Sequence, residues 1–382
     1  MQTVQPAIMI GAYTWDQDRV PRDEFEIRTA ELNRAMDAHG WKAMFIYGDA
    51  REYSALAYYT NFVPRLRWAL ALIPRKGEPR LLVSMSSRDM PAMKLTTWIG
   101  DVLCGWQWEA GFDGWREVLK GEGGPIDVGT IGFELIQARL LRMVEQSIGE
   151  RIRLNAAEGF SGADRTLRPR ELTLLREACS VVKIAARALG KSWRDGAGAE
   201  MAAMAGERAA RSMAVLDVRT LVSLDGGLTL VPFRGEFKAR EGPLVAYLAV
   251  NVKGYWAELF VTAEERRSGL LTGAQGALDT LKGGLQPGAT GAQLYARATG
   301  ALGSQSLHPV LGASVGRRIG LSLNEGGDLR VGGDRPVAAG DVYALHVGTR
   351  VPGHCGALAS AIVAVTAKGP EVLCSSEDAL AV

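Results

Sequence analysis

The amino-acid sequence predicts an α/β domain over residues 1–158 followed by an α+β domain over residues 159–382. Two observations support this fold class. In the first part of the chain, short apolar runs alternate with amphipathic segments, which is typical of an α/β domain. The second part begins with two long amphipathic segments and continues with runs rich in β-branched and aromatic residues. A chain of 382 residues is long enough to bury a core in each domain.

The elements of the first domain follow from periodicity and turn residues. A helix is predicted over Arg22 to Ala38, where apolar residues recur at helical spacing, and it ends at Gly40. The predicted strands are short apolar runs at Ala43 to Gly48, Trp68 to Pro74, Arg80 to Met85, Asp101 to Cys104 and Val128 to Phe133. Helices are predicted between the first two of these strands, near Asp113 to Leu119, and over Ile136 to Ile148.

A linker is predicted over Asn155 to Arg168, because this stretch has no sustained periodicity. The predicted helices of the second domain are Arg170 to Trp193, Glu200 to Met213, Gln275 to Leu281 and Gly291 to Leu302. The predicted strands are Val215 to Leu224, Pro243 to Val252, Trp256 to Thr262, Asp341 to Arg350 and Ala357 to Thr366. Lys253, Gly254 and Tyr255 form the expected turn of a hairpin between the second and third of these strands.

Composition excludes several classes of protein. The formal charge is +2, and no basic run with interleaved aromatic residues is present, so we expect no nucleic-acid partner. No apolar stretch reaches the roughly 20 residues that span a bilayer, so we expect no membrane partner and a cytoplasmic location. The four cysteines are far apart and form no CxxC pair, which predicts reduced thiols rather than a disulfide framework.

The segment Gly316-Arg317-Arg318-Ile319-Gly320-Leu321-Ser322-Leu323-Asn324-Glu325 resembles the GHGIG…HE segment of the creatinase, prolidase and aminopeptidase P family. Arginine replaces the metal-binding histidine of that segment at Arg317. Three further segments are similar to family motifs: Gly254 to Thr262 to GYxxDxxRT, Gly340 to Gly348 to the EPG strand, and Ala359 to Thr366 to the closing strand. The resemblance implies a creatinase-type N-terminal domain, a pita-bread catalytic domain and a homodimer.

The resemblance also places the family's metal ligands on this sequence. Metal-dependent members use two aspartates, a histidine and two glutamates, and the corresponding residues here are Tyr247, Glu258, Arg317, His346 and Ser360. Only Glu258 is a good ligand for a hard cation. A guanidinium is permanently charged and has no lone pair to donate to a metal. We therefore expect no metal and no other cofactor.

Creatinase is the precedent in this family for activity without a metal. In that comparison, Arg317 falls where creatinase has an arginine that binds the substrate carboxylate. Arg67 falls where creatinase has a second carboxylate-binding arginine, which reaches the site across the dimer. Arg65 could fill the role of Arg67. The general-base histidine of creatinase falls at Phe233, and its two active-site glutamates fall near Phe260 and His346, so the catalytic residues differ.

The sequence predicts a metal-independent hydrolase that cleaves a C–N bond in a small anionic, carboxylate-bearing substrate. Arg317 and Arg67 would bind the anion, and His346 would act as general acid or base, oriented by Glu258. Tyr247 would either stabilise an oxyanion or fill the space left by the metals. Phe233 would line the substrate site.

Several alternatives remain open at this stage. Glu325 could hold Arg317 in place as a partner, and Arg317 or Glu258 could instead belong to a purely structural ion pair. The altered catalytic residues also allow a catalytically inactive binding or scaffold protein. The same fold supports elimination in some relatives, so a lyase is a third possibility.

Overall fold

The computed structural model describes residues 14–105, 112, 125–160, 165–235 and 242–380. The chain divides into two compact units, Met1–Arg165 and Thr166–Val382. The sequence places the boundary a few residues earlier, between residues 158 and 159. The helix predicted near Asp113 to Leu119 lies outside the described residues.

The first unit is built on one mixed six-stranded sheet in the order β4-β3-β2-β1-β5-β6. Its strands are β1 (Ala43–Asp49), β2 (Trp68–Pro74), β3 (Arg80–Val83), β4 (Asp101–Cys104), β5 (Ile126–Ile131) and β6 (Ile152–Ala156). Its helices are α1 (Arg22–His39), α2 (Ser54–Thr60), α3 (Met90–Met93) and α4 (Ala138–Ile148). Strand β1 is parallel to β5 and antiparallel to β2, and β2 forms an antiparallel hairpin with β3.

The end of helix α1 was predicted correctly from the sequence, whereas strand β6 was not predicted. Helix α1 ends at Gly40, whose φ of 71° lies in the left-handed region that glycine adopts without strain. The linker predicted from Asn155 onward is wrong at its start, because Asn155 belongs to β6 and pairs with Gly129 of β5. Strand β6 is an edge strand with partly exposed residues, so it lacks the apolar pattern that identifies buried strands.

The second unit contains two antiparallel sheets and five helices in its described residues. The strands are β7 (Asp217–Val222), β8 (Leu244–Val252), β9 (Tyr255–Ala263), β10 (Gly316–Arg318), β11 (Val342–Val351), β12 (Cys355–Thr366) and β13 (Gly369–Ser375). The helices are α5 (Pro169–Arg194), α6 (Ala199–Arg211), α7 (Gly269–Gly284), α8 (Gly291–Ala301) and α9 (Ser376–Leu380). The sheet orders are β7-β8-β9 and β10-β11-β12-β13.

Strands β9 and β12 are joined by side-chain hydroxyls. The Ser360 Oγ accepts a hydrogen bond from the Phe260 N–H at 2.8 Å and donates to the Phe260 carbonyl at 2.9 Å. The Thr262 Oγ1 accepts from the Leu358 N–H at 2.8 Å and donates to the Leu358 carbonyl at 2.9 Å. Each hydroxyl satisfies two buried backbone groups that would otherwise lack partners. These contacts link β9 to the first half of β12, which does not pair with β13, and so join the two sheets of the second unit.

Strand β11 presents its two faces to different surroundings. Tyr343, Leu345 and Val347 lie in a core formed with helices α7 and α8. His346 lies on the opposite face, next to Phe260 of β9. Successive side chains of a strand point to opposite faces, so the core side of β11 is separated from the side that carries His346.

The second unit also contains elements that the sequence did not predict correctly. Helix α7 starts at Gly269, six residues before the predicted start, because Ser268 caps it by accepting a hydrogen bond from the Leu271 N–H at 3.1 Å. Strand β13 and helix α9 were not predicted. Among the described residues, none of the helices combines the length and the apolar character needed to cross a membrane.

Candidate active site

A buried carboxylate, Glu258, lies at the centre of the predicted site. It is 2% exposed and sits in the middle of β9. Its Oε2 accepts a hydrogen bond from the Tyr247 hydroxyl at 2.7 Å. The Nη2 of Arg317 lies 2.8 Å from Oε1 and 2.7 Å from Oε2. The carboxylate is thus held by one neutral and one cationic donor.

The β8–β9 hairpin brings Tyr247 and Glu258 together. Its two-residue turn places Lys253 at a φ of 52° and Gly254 at a φ of 94°, both in the left-handed region that a tight hairpin needs. This turn sets the register in which Tyr247 pairs with Phe260 and Ala249 with Glu258. Tyr247 and Glu258 are therefore diagonal neighbours on one face of the sheet, within reach of a long side chain.

Arg317 reaches the carboxylate from the other sheet. It lies on the short strand β10 and pairs with Ala344 of β11. Its Nε donates to the Leu323 carbonyl at 2.8 Å, which fixes the plane of the guanidinium. Its side chain is 23% exposed. Within the described part of the chain, its Nη1 group makes no hydrogen bond to the protein.

His346 is a buried imidazole near this ion pair. It is 2% exposed, and its Nδ1 has no hydrogen-bond partner among the described residues. Burial, together with the positive charge of Arg317, lowers the pKa of His346 to about 3, although a hydrogen bond to the Ser314 backbone acts in the opposite direction. The imidazole is therefore neutral at neutral pH, and Nδ1 is a hydrogen-bond acceptor.

Phe260 and Ser360 complete the connections between these residues. The ring of Phe260 lies 4.8 Å from the ring of Tyr247 and 5.5 Å from the imidazole of His346, measured between centroids. Ser360 pairs with His346 across β11 and β12 and bonds to the Phe260 backbone. The five residues that the sequence resemblance matches to metal-ligand positions thus lie together. We call them the polar cluster: Tyr247, Glu258, Arg317, His346 and Ser360.

Burial sets the electrostatics of the cluster. Desolvation raises the pKa of Glu258, while the charge of Arg317 and the hydrogen bonds from Tyr247 and Arg317 act to lower it. Desolvation, the charge of Glu258 and the hydrogen bond to it raise the pKa of Tyr247 well above the usual value, so the phenol stays protonated and donates. The ion pair between Glu258 and Arg317 carries no net charge.

The polar cluster does not fit a metal ion. The chemistry of its donors is wrong, because a guanidinium and a protonated phenol replace two ligands and the remaining carboxylate is already bound by both. In the described residues, no group of three or more His, Cys, Asp and Glu side chains is arranged to hold a metal ion. A paired-metal centre needs several anionic oxygens, which this cluster lacks.

Three further residues were predicted from the resemblance: Arg67, Phe233 and Glu325. Arg67 is exposed and belongs to the first unit. Phe233 is 38% exposed in the loop that follows β7. The Oε1 of Glu325 accepts a hydrogen bond from the Leu321 N–H at 2.8 Å. A Cβ atom at Gly320 would lie only 2.7 Å from this oxygen, so there is no room for a side chain at that position. The carboxylate that holds the Arg317 guanidinium is therefore Glu258 and not Glu325, which the sequence had suggested.

A buried glutamate that shapes this region was not predicted from the sequence. Glu200, in the first turn of α6, is 2% exposed, and its Oε1 accepts a hydrogen bond from the Arg234 N–H. It thereby holds the loop that carries Phe233. A glutamate in an alanine-rich helix carries no signal of this contact, because the partner is a backbone group 34 residues further along the chain.

The sequence matches no known family model, and no curated protein is significantly similar to it. Several solved structures are similar to the structure of this chain. The X-Pro aminopeptidase from Thermotoga maritima aligns with a TM-score of 0.74 and 18% identity, over 91% of this chain and 97% of that one. The prolidase from Pyrococcus horikoshii OT3 aligns with a TM-score of 0.72 and 15% identity, over 90% and 96%.

A third similar structure is the N-terminal domain of the FACT complex subunit SPT16 from chickpea. It aligns with a TM-score of 0.65 and 15% identity, over 95% of this chain and 97% of that one. At such identities the similarity establishes the fold, and function has to be argued from the site. The chain therefore has the two-domain pita-bread fold of prolidases and X-Pro aminopeptidases, with an amino-acid sequence that has diverged far from theirs.

Proposed function

We propose that this protein is a metal-independent hydrolase that cleaves a C–N bond in a small carboxylate-bearing substrate. The observation that carries the proposal is the contact of 2.7 Å between Arg317 and Glu258, two residues that the sequence resemblance matches to metal ligands of the family. In this proposal, the guanidinium of Arg317 takes the place of a bound metal ion. Structural neighbours with the same fold include a prolidase and an X-Pro aminopeptidase.

Arg317 is the proposed anchor for the substrate carboxylate. Glu258 and the Leu323 carbonyl hold its Nη2 and Nε groups, so the guanidinium is oriented before a ligand arrives. Its Nη1 group is left to donate to the substrate. Because Glu258 already compensates the charge, binding relies on directed hydrogen bonds more than on net attraction.

His346 is the proposed base. Its neutral Nδ1 takes a proton from a water molecule, and the water oxygen forms a bond to the electrophilic carbon as the C–N bond breaks. The departing nitrogen then takes the proton from His346. A pKa of about 3 is low for this role, but a carboxylate bound at Arg317 offsets the positive charge that contributes to lowering it.

A binding protein without catalytic activity is the second candidate. Two observations favour it: Tyr247, Glu258 and Arg317 satisfy one another, and His346 does not titrate near neutral pH. In this alternative the cluster stabilises the fold and Nδ1 of His346 contributes only a hydrogen bond to the ligand.

A substrate screen under chelation separates the candidates. Creatine and a set of N-acyl and N-carbamoyl amino acids would be incubated with protein in EDTA, with products identified by mass spectrometry. We expect hydrolysis products from the wild type, loss of turnover in His346→Gln and a raised KM in Arg317→Lys. Activity abolished by EDTA would refute metal independence, and stabilisation by a ligand without turnover would identify the binding protein. Elimination products would identify a lyase.

A further inference from the structure

The second unit contains a solvent-open cavity of about 340 Å³ that none of the polar-cluster residues lines. It is bounded by the C-terminal end of α5, the end of β9, the first half of α7 and helix α9. Its apolar wall is formed by Trp193, Leu271 and Leu380. A cavity of this volume is large enough for a small ligand.

A buried amide lines this cavity. Gln275 is 5% exposed, and its Nε2 is buried without a hydrogen-bond partner. Its Oε1 likewise forms no hydrogen bond with any described residue. An unpaired buried amide is unfavourable unless another molecule supplies the missing partner. One wall of the cavity therefore offers an adjacent donor and acceptor.

The charged groups around the cavity already bond within the protein, and for Arg194 this bond is a donation from Nη1 to the Leu380 carbonyl at 3.5 Å. Arg267 pairs with Glu377 at 3.1 Å. Both carboxylate oxygens of Glu264 accept hydrogen bonds from Ser268, one from its N–H at 2.7 Å and one from its hydroxyl at 2.8 Å. A charged ligand would compete with these contacts, whereas an uncharged ligand would leave them in place.

We propose that this cavity binds an uncharged ligand that carries a carboxamide and a small apolar group. The carbonyl of the ligand accepts from Nε2 of Gln275, and its N–H donates to Oε1. The apolar group packs against Trp193 and Leu271. Reciprocal pairing between two amides satisfies both atoms of Gln275 at once, and it does so whichever way the Gln275 amide is oriented.

The test uses N-acetyl-leucinamide as the probe and the full chain. Binding would be measured by calorimetry for the wild type, for Gln275→Leu and for Gln305→Leu, which makes the same change at an exposed position. We expect saturable binding to the wild type and to Gln305→Leu, and binding at least tenfold weaker to Gln275→Leu. N-acetyl-leucine, which carries a carboxylate, should bind more weakly than the amide. Absence of saturable binding to the wild type, or equal binding to Gln275→Leu, would overturn the proposal.

A second measurement tests the unpaired amide without a ligand. Replacing Gln275 by leucine removes a buried polar group that lacks partners, so the urea midpoint of Gln275→Leu should equal or exceed that of the wild type. A midpoint clearly below those of the wild type and Gln305→Leu would show that Gln275 already bonds within the protein, and the site would be discarded.

Discussion

Nη2 of Arg317 lies within 2.8 Å of both carboxylate oxygens of Glu258, inside the polar cluster. A permanent cation and a buried carboxylate neutralise each other there. The pair differs from a metal centre in one respect that matters for stability: the cation is covalently part of the chain, so it cannot dissociate. Its energetic contribution can therefore be measured by substitution.

Glu258→Gln should destabilise the protein by about 3 kcal/mol. This is the low end of the range for removing one partner of a buried ion pair, because Arg317 is 23% exposed and keeps some contact with water. The measurement is urea denaturation followed by circular dichroism. The control is Glu371→Gln, which breaks the exposed pair with Arg176 and should cost less than about 1 kcal/mol. Equal losses in the two variants would contradict a specific role for the buried pair.

The free energy of unfolding should depend on pH through His346. Its pKa is about 3 in the folded protein and about 6.5 in the unfolded chain, so the unfolded state binds more protons between these values. Stability attributable to this residue is thus complete above about pH 6.5 and is lost as pH falls toward 3. The loss between pH 7 and pH 4 should be about 3 kcal/mol.

The control for this prediction is the variant His346→Gln, because glutamine has no group that titrates. Unfolding free energies would be measured at pH 4 and pH 7 for the wild type, for His346→Gln and for His39→Gln, which alters an exposed histidine. Glu258 has a raised pKa and acts in the opposite sense, since the folded state then holds its proton more tightly, but it is present in all three proteins. A pH dependence that is unchanged in His346→Gln would refute the assignment.

Ser360→Ala should cost about 1–3 kcal/mol. The substitution removes the hydroxyl that satisfies both the N–H and the carbonyl of Phe260, and leaves these buried groups unpaired. Thermal and urea unfolding would measure the loss. Ser180→Ala is the matched control, because the Ser180 hydroxyl bonds to the Arg176 carbonyl on an exposed helix face and its removal should change stability by less than about 0.5 kcal/mol.

Divalent metal ions should not stabilise the wild-type protein. Protein dialysed against EDTA should have the same unfolding temperature with and without added Mn²⁺, because the polar cluster lacks the anionic ligands that such an ion needs. The triple variant Tyr247→Asp, Arg317→His, His346→Glu places two further carboxylates and an imidazole around Glu258 and should gain Mn²⁺-dependent stabilisation. Elemental analysis that finds one or more divalent ions per wild-type chain would disprove the prediction.

The sequence by itself determined the two-domain fold class and most of its elements. Buried strands and amphipathic helices have periodicities that depend only on which side faces the core, so α1, α5 and β11 were predicted within a few residues. The motif around Arg317 also identified the fold and the five positions of the polar cluster. Elements without a strong apolar pattern, such as the edge strand β6 and the short helix α9, gave no comparable signal.

Only the tertiary structure decided how the cluster residues interact. The sequence left Arg317 with two possible carboxylate partners, and the choice of Glu258 over Glu325 depends on strands that are 59 residues apart being brought together. It also could not show that His346 is neutral, because its pKa depends on burial and on the nearby charge of Arg317. Local periodicity records which face of an element is buried, whereas hydrogen bonding and electrostatics depend on neighbours that only folding supplies.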